Sequence, residues 1–181
     1  MLQITVPISP EGWDEAKEEF VSAEEQTLEL EHSLVSLSKW ESKWRKPFLL
    51  AENKTDEEVL DYIKYMTLTQ NVDPDVYSHL TTENFNQIND YINSPMTATT
   101  FYEHGNSKKS REIITAELIY YWMIALQIPF ECENWHLNRL LTLVRVCNIK
   151  NQPPKKMSKR DIMSRNAQLN AARRQQLNTK G

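Results

Sequence analysis

The spacing of apolar residues changes period once along this chain, and that change most constrains what it can fold into. Leu2, Ile4, Val6 and Ile8 alternate with Gln3, Thr5 and Pro7. This is the period of a half-buried strand, and Pro7, which cannot donate to a ladder, places it at an edge. Phe20-Val21 is a second strand candidate, returning across the Glu11–Glu19 connection. From about Thr27 the step lengthens: Leu30, Leu34, Leu37 and Trp44 follow a helical repeat that Pro47 ends. Thr55-Asp56-Glu57-Glu58 then matches a capping box ahead of Val59, Leu60, Ile63 and Met66. Asp73-Pro74 marks a turn. A third helix is expected after Thr81 or Thr82, with Phe85, Ile88 and Ile92 on one face, stopping before Pro95.

Met96–Lys109 is polar, holds Gly105 and reads as a loop. Ser110 is the expected cap of a fourth helix, Ile113–Gln127, with Glu112 near its positive end. As the most apolar segment, this helix is expected at the centre of the core with Trp122 buried, and Pro129 ends it. A fifth helix, from about Asn134 to Asn148, supplies Trp135, Leu137, Leu140, Leu141 and Val144 to the interior. Beyond Pro153-Pro154, Ser158–Gln176 has helical composition, but Ile162, Met163, Leu169 and Leu177 are too sparse to fill a core. The expected fold is therefore mainly α: about five helices, a small N-terminal β element, and a basic C-terminal tail or helix.

Charge divides the 181 residues in the same place. Residues 1–149 hold 12 basic and 24 acidic side chains, a net of −12. Residues 150–181 hold 9 basic and 1 acidic, a net of +8. We read 1–149 as an acidic helical domain and 150–181 as a Pro-led basic segment, an asymmetry that favours an electrostatic partner or self-association. Two cysteines exclude a disulfide scaffold and fit a reducing compartment. Three glycines disfavour a phosphate-cradling loop. The first ten residues lack a signal-peptide pattern, and no apolar run reaches membrane-span length; Ile113–Phe130 comes nearest but carries Glu117 and Pro129.

Chemistry-bearing residues are scattered. His32, His79, His104 and His136 fall on separate expected elements, and only Cys132 and His136 share a one-turn spacing, with Cys147 as a conceivable third ligand. Packing is the favoured role for these residues, and no metal, cofactor or catalytic group is expected. The acidic run from Glu11 to Glu31 lacks a cation-loop pattern and reads as a solvated face. Trp40 and Trp44, one turn apart beside Lys43 and Arg45, resemble a base-stacking platform, but a core anchor is favoured. The candidate partner-binding residues are Lys155, Lys156, Lys159, Arg160, Arg165, Arg173 and Arg174. Clustered cations of this kind suit an acidic protein surface, or nucleic acid through phosphate contacts alone.

Several whole strings carry a resemblance: Leu28-Glu29-Leu30-Glu31-His32-Ser33-Leu34, Ser38-Lys39-Trp40-Glu41-Ser42-Lys43-Trp44 and Pro95-Met96-Thr97-Ala98-Thr99-Thr100-Phe101. To these belong the stretches Ser110–Met123 and Met157–Asn166. Over nearly its whole length the chain resembles the small tail assembly proteins of siphovirus-type bacteriophages. That resemblance implies a mainly helical, non-enzymatic tail assembly chaperone in the cytoplasm of the infected host, absent from the mature virion. It would bind the tape measure protein, help recruit tail-tube protein, and self-associate. The alternatives are a head–tail adaptor or other morphogenetic protein kept in the virion, or a nucleic-acid-binding phage protein using the basic segment.

Overall fold

The alternation at the N-terminus forms strand β1 (Leu2–Ser9) in a computed structural model that describes residues 1–9, 12–14, 19–21, 24–101, 112–151 and 158–178. Its partner is β4 (Glu24–Leu30), antiparallel, with Leu2 opposite Leu30 and Val6 opposite Gln26. Nested between them, β2 (Gly12–Asp14) pairs with β3 (Glu19–Val21), so Phe20-Val21 returns against Trp13 and not against β1. In a two-stranded ladder both strands are edges, which is where Pro7 is tolerated; the register shifts just beyond it. Residues 24–30 correct the helical reading that began at Thr27. Leu28 and Leu30 are both buried with Glu29 between them, a period of two, and they join Ile4 and Val6 on one face.

The switch to helix comes at Ser33, whose hydroxyl accepts from the Ser36 amide while Ser36 returns a bond to the Ser33 amide. This capping box starts α1 (Leu34–Trp44), which buries Leu34, Leu37 and Trp40. Arg45, at φ 53°, ends it two residues before Pro47. The box read at Thr55 and Glu58 forms as expected and starts α2 (Asp56–Met66). Asp73 caps a 3₁₀ segment, Pro74–His79, and Thr81 caps α3 (Thr82–Asn93). The end of α2 is tied to β4 by Glu31 N–H donating to the Met66 carbonyl at 2.8 Å and Leu68 N–H to Glu29 at 2.8 Å. Asn84 of α3 donates its side-chain amide to the Thr5 carbonyl of β1 at 3.1 Å.

Helix α4 (Ala116–Ala125) begins later than its sequence suggests. Thr115 is its cap, residues 112–115 are not helical, and Ser110 lies outside the described residues. A 3₁₀ segment, Phe130–Asn134, leads to α5 (Leu137–Asn151), which buries Leu137, Leu140 and Val144 and starts where Leu137 N–H donates to the His32 carbonyl at 2.7 Å. Last comes α6 (Lys159–Leu177), capped by Ser158. The chain divides into two units, residues 1–148 and 149–181. In the first, the apolar face of β1–β4 and the inner sides of α1 to α5 share one core in which Leu28, Leu30, Leu34, Leu37, Trp40, Met66, Met123 and Leu140 are wholly buried. The second unit has no buried residue on α6. The protein is thus mainly helical with a small N-terminal antiparallel β element.

Candidate partner-binding surfaces

No helix among the described residues is long and apolar enough to cross a membrane, and no three or more His, Cys, Asp or Glu side chains among them are grouped to hold a metal ion. Both nitrogens of His136 are engaged. Nε2–H donates to the Tyr91 carbonyl at 3.0 Å, and Nδ1 accepts from the Asn138 amide at 3.3 Å, which makes the ring a neutral fastener between α3 and α5. His32 packs edge-on against it at 5.1 Å and shares a hydrogen bond with the Tyr62 hydroxyl. Burial, reinforced by His136, drives the His32 pKa down to about 3, and burial lowers that of His136 as well. Cys132 is buried, and desolvation pushes its thiol up, away from the thiolate a ligand or nucleophile needs.

The tryptophan cluster is structural. Trp40 is wholly buried, meets Phe48 edge-to-face at 5.0 Å and donates its indole N–H to the Glu58 carbonyl at 2.8 Å. Trp44 donates to the Asp61 carboxylate at 3.1 Å. Lys43 pairs with Asp61, and Lys46 with Glu58, whose carboxyl is held below its usual range by the Lys46 ammonium and the Thr55 amide. With one ring enclosed and two neighbouring cations satisfied by carboxylates, the cluster offers no stacking platform to a nucleic-acid base. Glu41 belongs to the same framework. It is buried, and its two oxygens accept from Phe48 N–H at 2.8 Å and from Ala116 N–H at 2.7 Å. This carboxylate therefore sits at the positive end of α4.

Two exposed surfaces stand out for recognition. The first is the outer side of α4. The helix buries only Ala116, Ile119 and Met123, a stripe at three- and four-residue spacing, and leaves Tyr121 63% and Ile124 62% exposed. Trp122, expected in the interior, is half-buried. A short helix laid on the surface of a core can bury one stripe only, however apolar its other side. Ile113, Ile114 and Phe130 are exposed near the two ends of the helix, and Glu117 and Glu131 are exposed beside them.

The second surface is α6. Lys159, Arg160, Arg165, Arg173 and Arg174 are all exposed, while Lys155 and Lys156 lie outside the described residues. Helical geometry places Lys159, Arg160, Arg173 and Arg174 within an arc of about 140°. Met163 and Leu177 project into that same arc and Ile162 and Leu169 lie just beside it, so the four apolar residues share their side of the helix with the cations. With its few apolar residues interleaved with cations and none of them buried, α6 gains little from the hydrophobic effect, and its chief asset is charge. Comparison with protein-family models, curated proteins and solved structures finds no match to this chain.

Proposed function

We propose that this protein is a non-enzymatic, protein-binding factor, and specifically a bacteriophage tail assembly chaperone that keeps the tape measure protein soluble and helps recruit tail-tube protein. One observation carries the protein-binding part: the outer side of α4, with Tyr121 and Ile124 more than three-fifths exposed on the most apolar helix of the chain. An exposed apolar side edged by carboxylates marks a contact for another polypeptide. The phage assignment rests on the strings quoted above, and with it come the host cytoplasm as the place of action and absence from the finished particle.

Opposite charge on the two parts of the chain supports self-association through α6, a contact that salt screens. The test is co-expression with the tape measure protein of the same genome. Wild-type protein should hold that client in the soluble fraction and co-purify with it, whereas Tyr121→Asp with Ile124→Asp should lose both effects at unchanged helical content. A client equally soluble with the double variant would remove α4 as the contact. Abundant copies of the protein in purified virions, detected by mass spectrometry, would point to an adaptor instead. Tight binding to nonspecific DNA at physiological salt would point to the nucleic-acid reading.

A further inference from the structure

A groove runs between α2 and α3, and no residue of α4 lines it. It holds two depressions, of about 310 Å³ and about 510 Å³, which share Val59 and Phe85 in their walls and so lie side by side. The first has Ile63, Ile88 and Ile92 in its walls and Phe48 with Tyr62 at its base, the two rings stacked at 4.0 Å. The second is closed by Leu60, Leu80 and Tyr77. Phe85, Val59, Leu60 and Ile92 are only half-buried, so apolar surface is left facing water along the groove.

The polar groups of the groove are few and differ in sign along it. Lys54 borders the first depression, with its ammonium 4.2 Å from the centre of the Phe48 ring and one proton given to the Ala51 carbonyl at 2.7 Å. Among the described residues no carboxylate lies within salt-bridge distance of it; Glu58, paired with Lys46, acts on it from further off. Partial burial lowers its pKa, which marks a cation whose hydration is incomplete. Asn89 and Asn93 stand on the same stretch, and Asp56 lines the second depression.

We propose that this groove docks an amphipathic helical segment of a partner protein, seating two apolar side chains in the two depressions and one carboxylate on Lys54. A helix is the form that fits. The backbones of α2 and α3 are bonded within each helix, so the walls offer no ladder to an extended strand, whereas a helix satisfies its own amides. The acid at Asp56 disfavours a second carboxylate there, so the charges fix the direction of the segment as well as its presence. A single aliphatic acid would suit a closed tunnel; two neighbouring open depressions suit two side chains of one helix. In taking a polypeptide as the occupant, the assignment rests on the protein-binding reading above, but it uses a surface separate from α4.

The probe is an acetylated and amidated Ala/Gln helix of about 18 residues, long enough to be helical in water. It carries two leucines about two turns apart and a glutamate one turn from the first of them. Its binding to the full chain is followed by amide chemical shifts. Saturable shifts at Val59, Phe85 and the side-chain amides of Asn89 and Asn93 are expected. Changing the peptide glutamate to lysine should weaken binding by about three- to fivefold, the size of one partly exposed ion pair. Lys54→Glu should reverse that preference and Lys54→Gln should erase it, and circular dichroism shows whether either variant has lost its fold. Shifts that do not saturate, or affinity indifferent to both charge swaps, would overturn the proposal, as would octanoate displacing the peptide from the same residues. Tyr121→Asp with Ile124→Asp should leave peptide binding unchanged, so failure of the α4 contact and failure of this groove are read separately.

Discussion

Replacing Glu41 should unseat α4 from the rest of the first unit. Its two oxygens are the acceptors for Phe48 N–H and for Ala116 N–H, the first amide of α4, and the side chain is buried. A hydrogen bond to a charged acceptor contributes about 1.5–3 kcal/mol, and a buried donor left without a partner adds its own desolvation cost. Glu41→Ala removes both bonds. The loss is offset in part because the carboxylate no longer has to be desolvated, and because the depression formed with Arg45, Pro47 and Thr115 lets water approach. The expected loss is about 3–5 kcal/mol. Glu41→Gln keeps one acceptor and turns an NH₂ group toward the other amide, so about 1.5–3 kcal/mol should go. Urea denaturation followed by tryptophan fluorescence gives both values as midpoint shifts at constant slope. Hydrogen exchange gives the location: the Ala116 and Phe48 amides should exchange at least tenfold faster, a factor that corresponds to about 1.4 kcal/mol. Both variants within about 0.5 kcal/mol of wild type, a margin typical of surface substitutions, would refute the reasoning and leave α4 held by apolar packing alone.

Two further outcomes follow from burial. Trp40→Ala should cost about 3–5 kcal/mol, as enclosed aromatics do, while Trp122→Ala, whose ring already meets water, should cost less than about 2 kcal/mol; equal midpoint shifts in urea would contradict the difference in their surroundings. Stability should also fall as pH drops below about 6.5, the pKa of histidine in an unfolded chain. His32, at about 3 in the fold, stays neutral there while the unfolded state gains a proton, and His136, lowered by burial, contributes in the same direction. The loss runs to at most about 1.4 kcal/mol per pH unit for each histidine and is absent above that pH. His32→Gln should make the slope between about pH 7 and pH 5 shallower, and an unchanged slope would show that this imidazole is protonated within the fold.

Local chemistry in the sequence was enough to place much of the structure. The Thr55/Glu58 capping box, the Thr81 cap, the Asp73-Pro74 turn and the alternation in β1 are all decided within a few residues, because the groups that satisfy one another are neighbours in the chain. Trp40 at a core position is also legible, because a tryptophan near a helix end is most often a core anchor. The candidate cations of α6 were equally visible as a run of charge, and their exposure goes with a helix whose few apolar residues are mixed among charges.

Three features needed the tertiary structure. Glu24–Leu30 carries leucines that fit a strand or the first turn of a helix, and it became a strand because β1 offers a ladder some twenty residues away in sequence. The start of α4, capped locally by Thr115, is also held by Glu41, seventy-five residues distant, whose carboxylate takes the Ala116 amide. Hydrophobicity predicted that α4 would be central, but composition measures how much a segment gains from burial and not how many of its sides have something to pack against. That number depends on the placement of α1 and its neighbours, and it left Tyr121 and Ile124 facing water. The α2–α3 groove has the same origin: Val59 and Phe85 each read as ordinary core positions, and only the separation of two helices leaves them half-uncovered along one line.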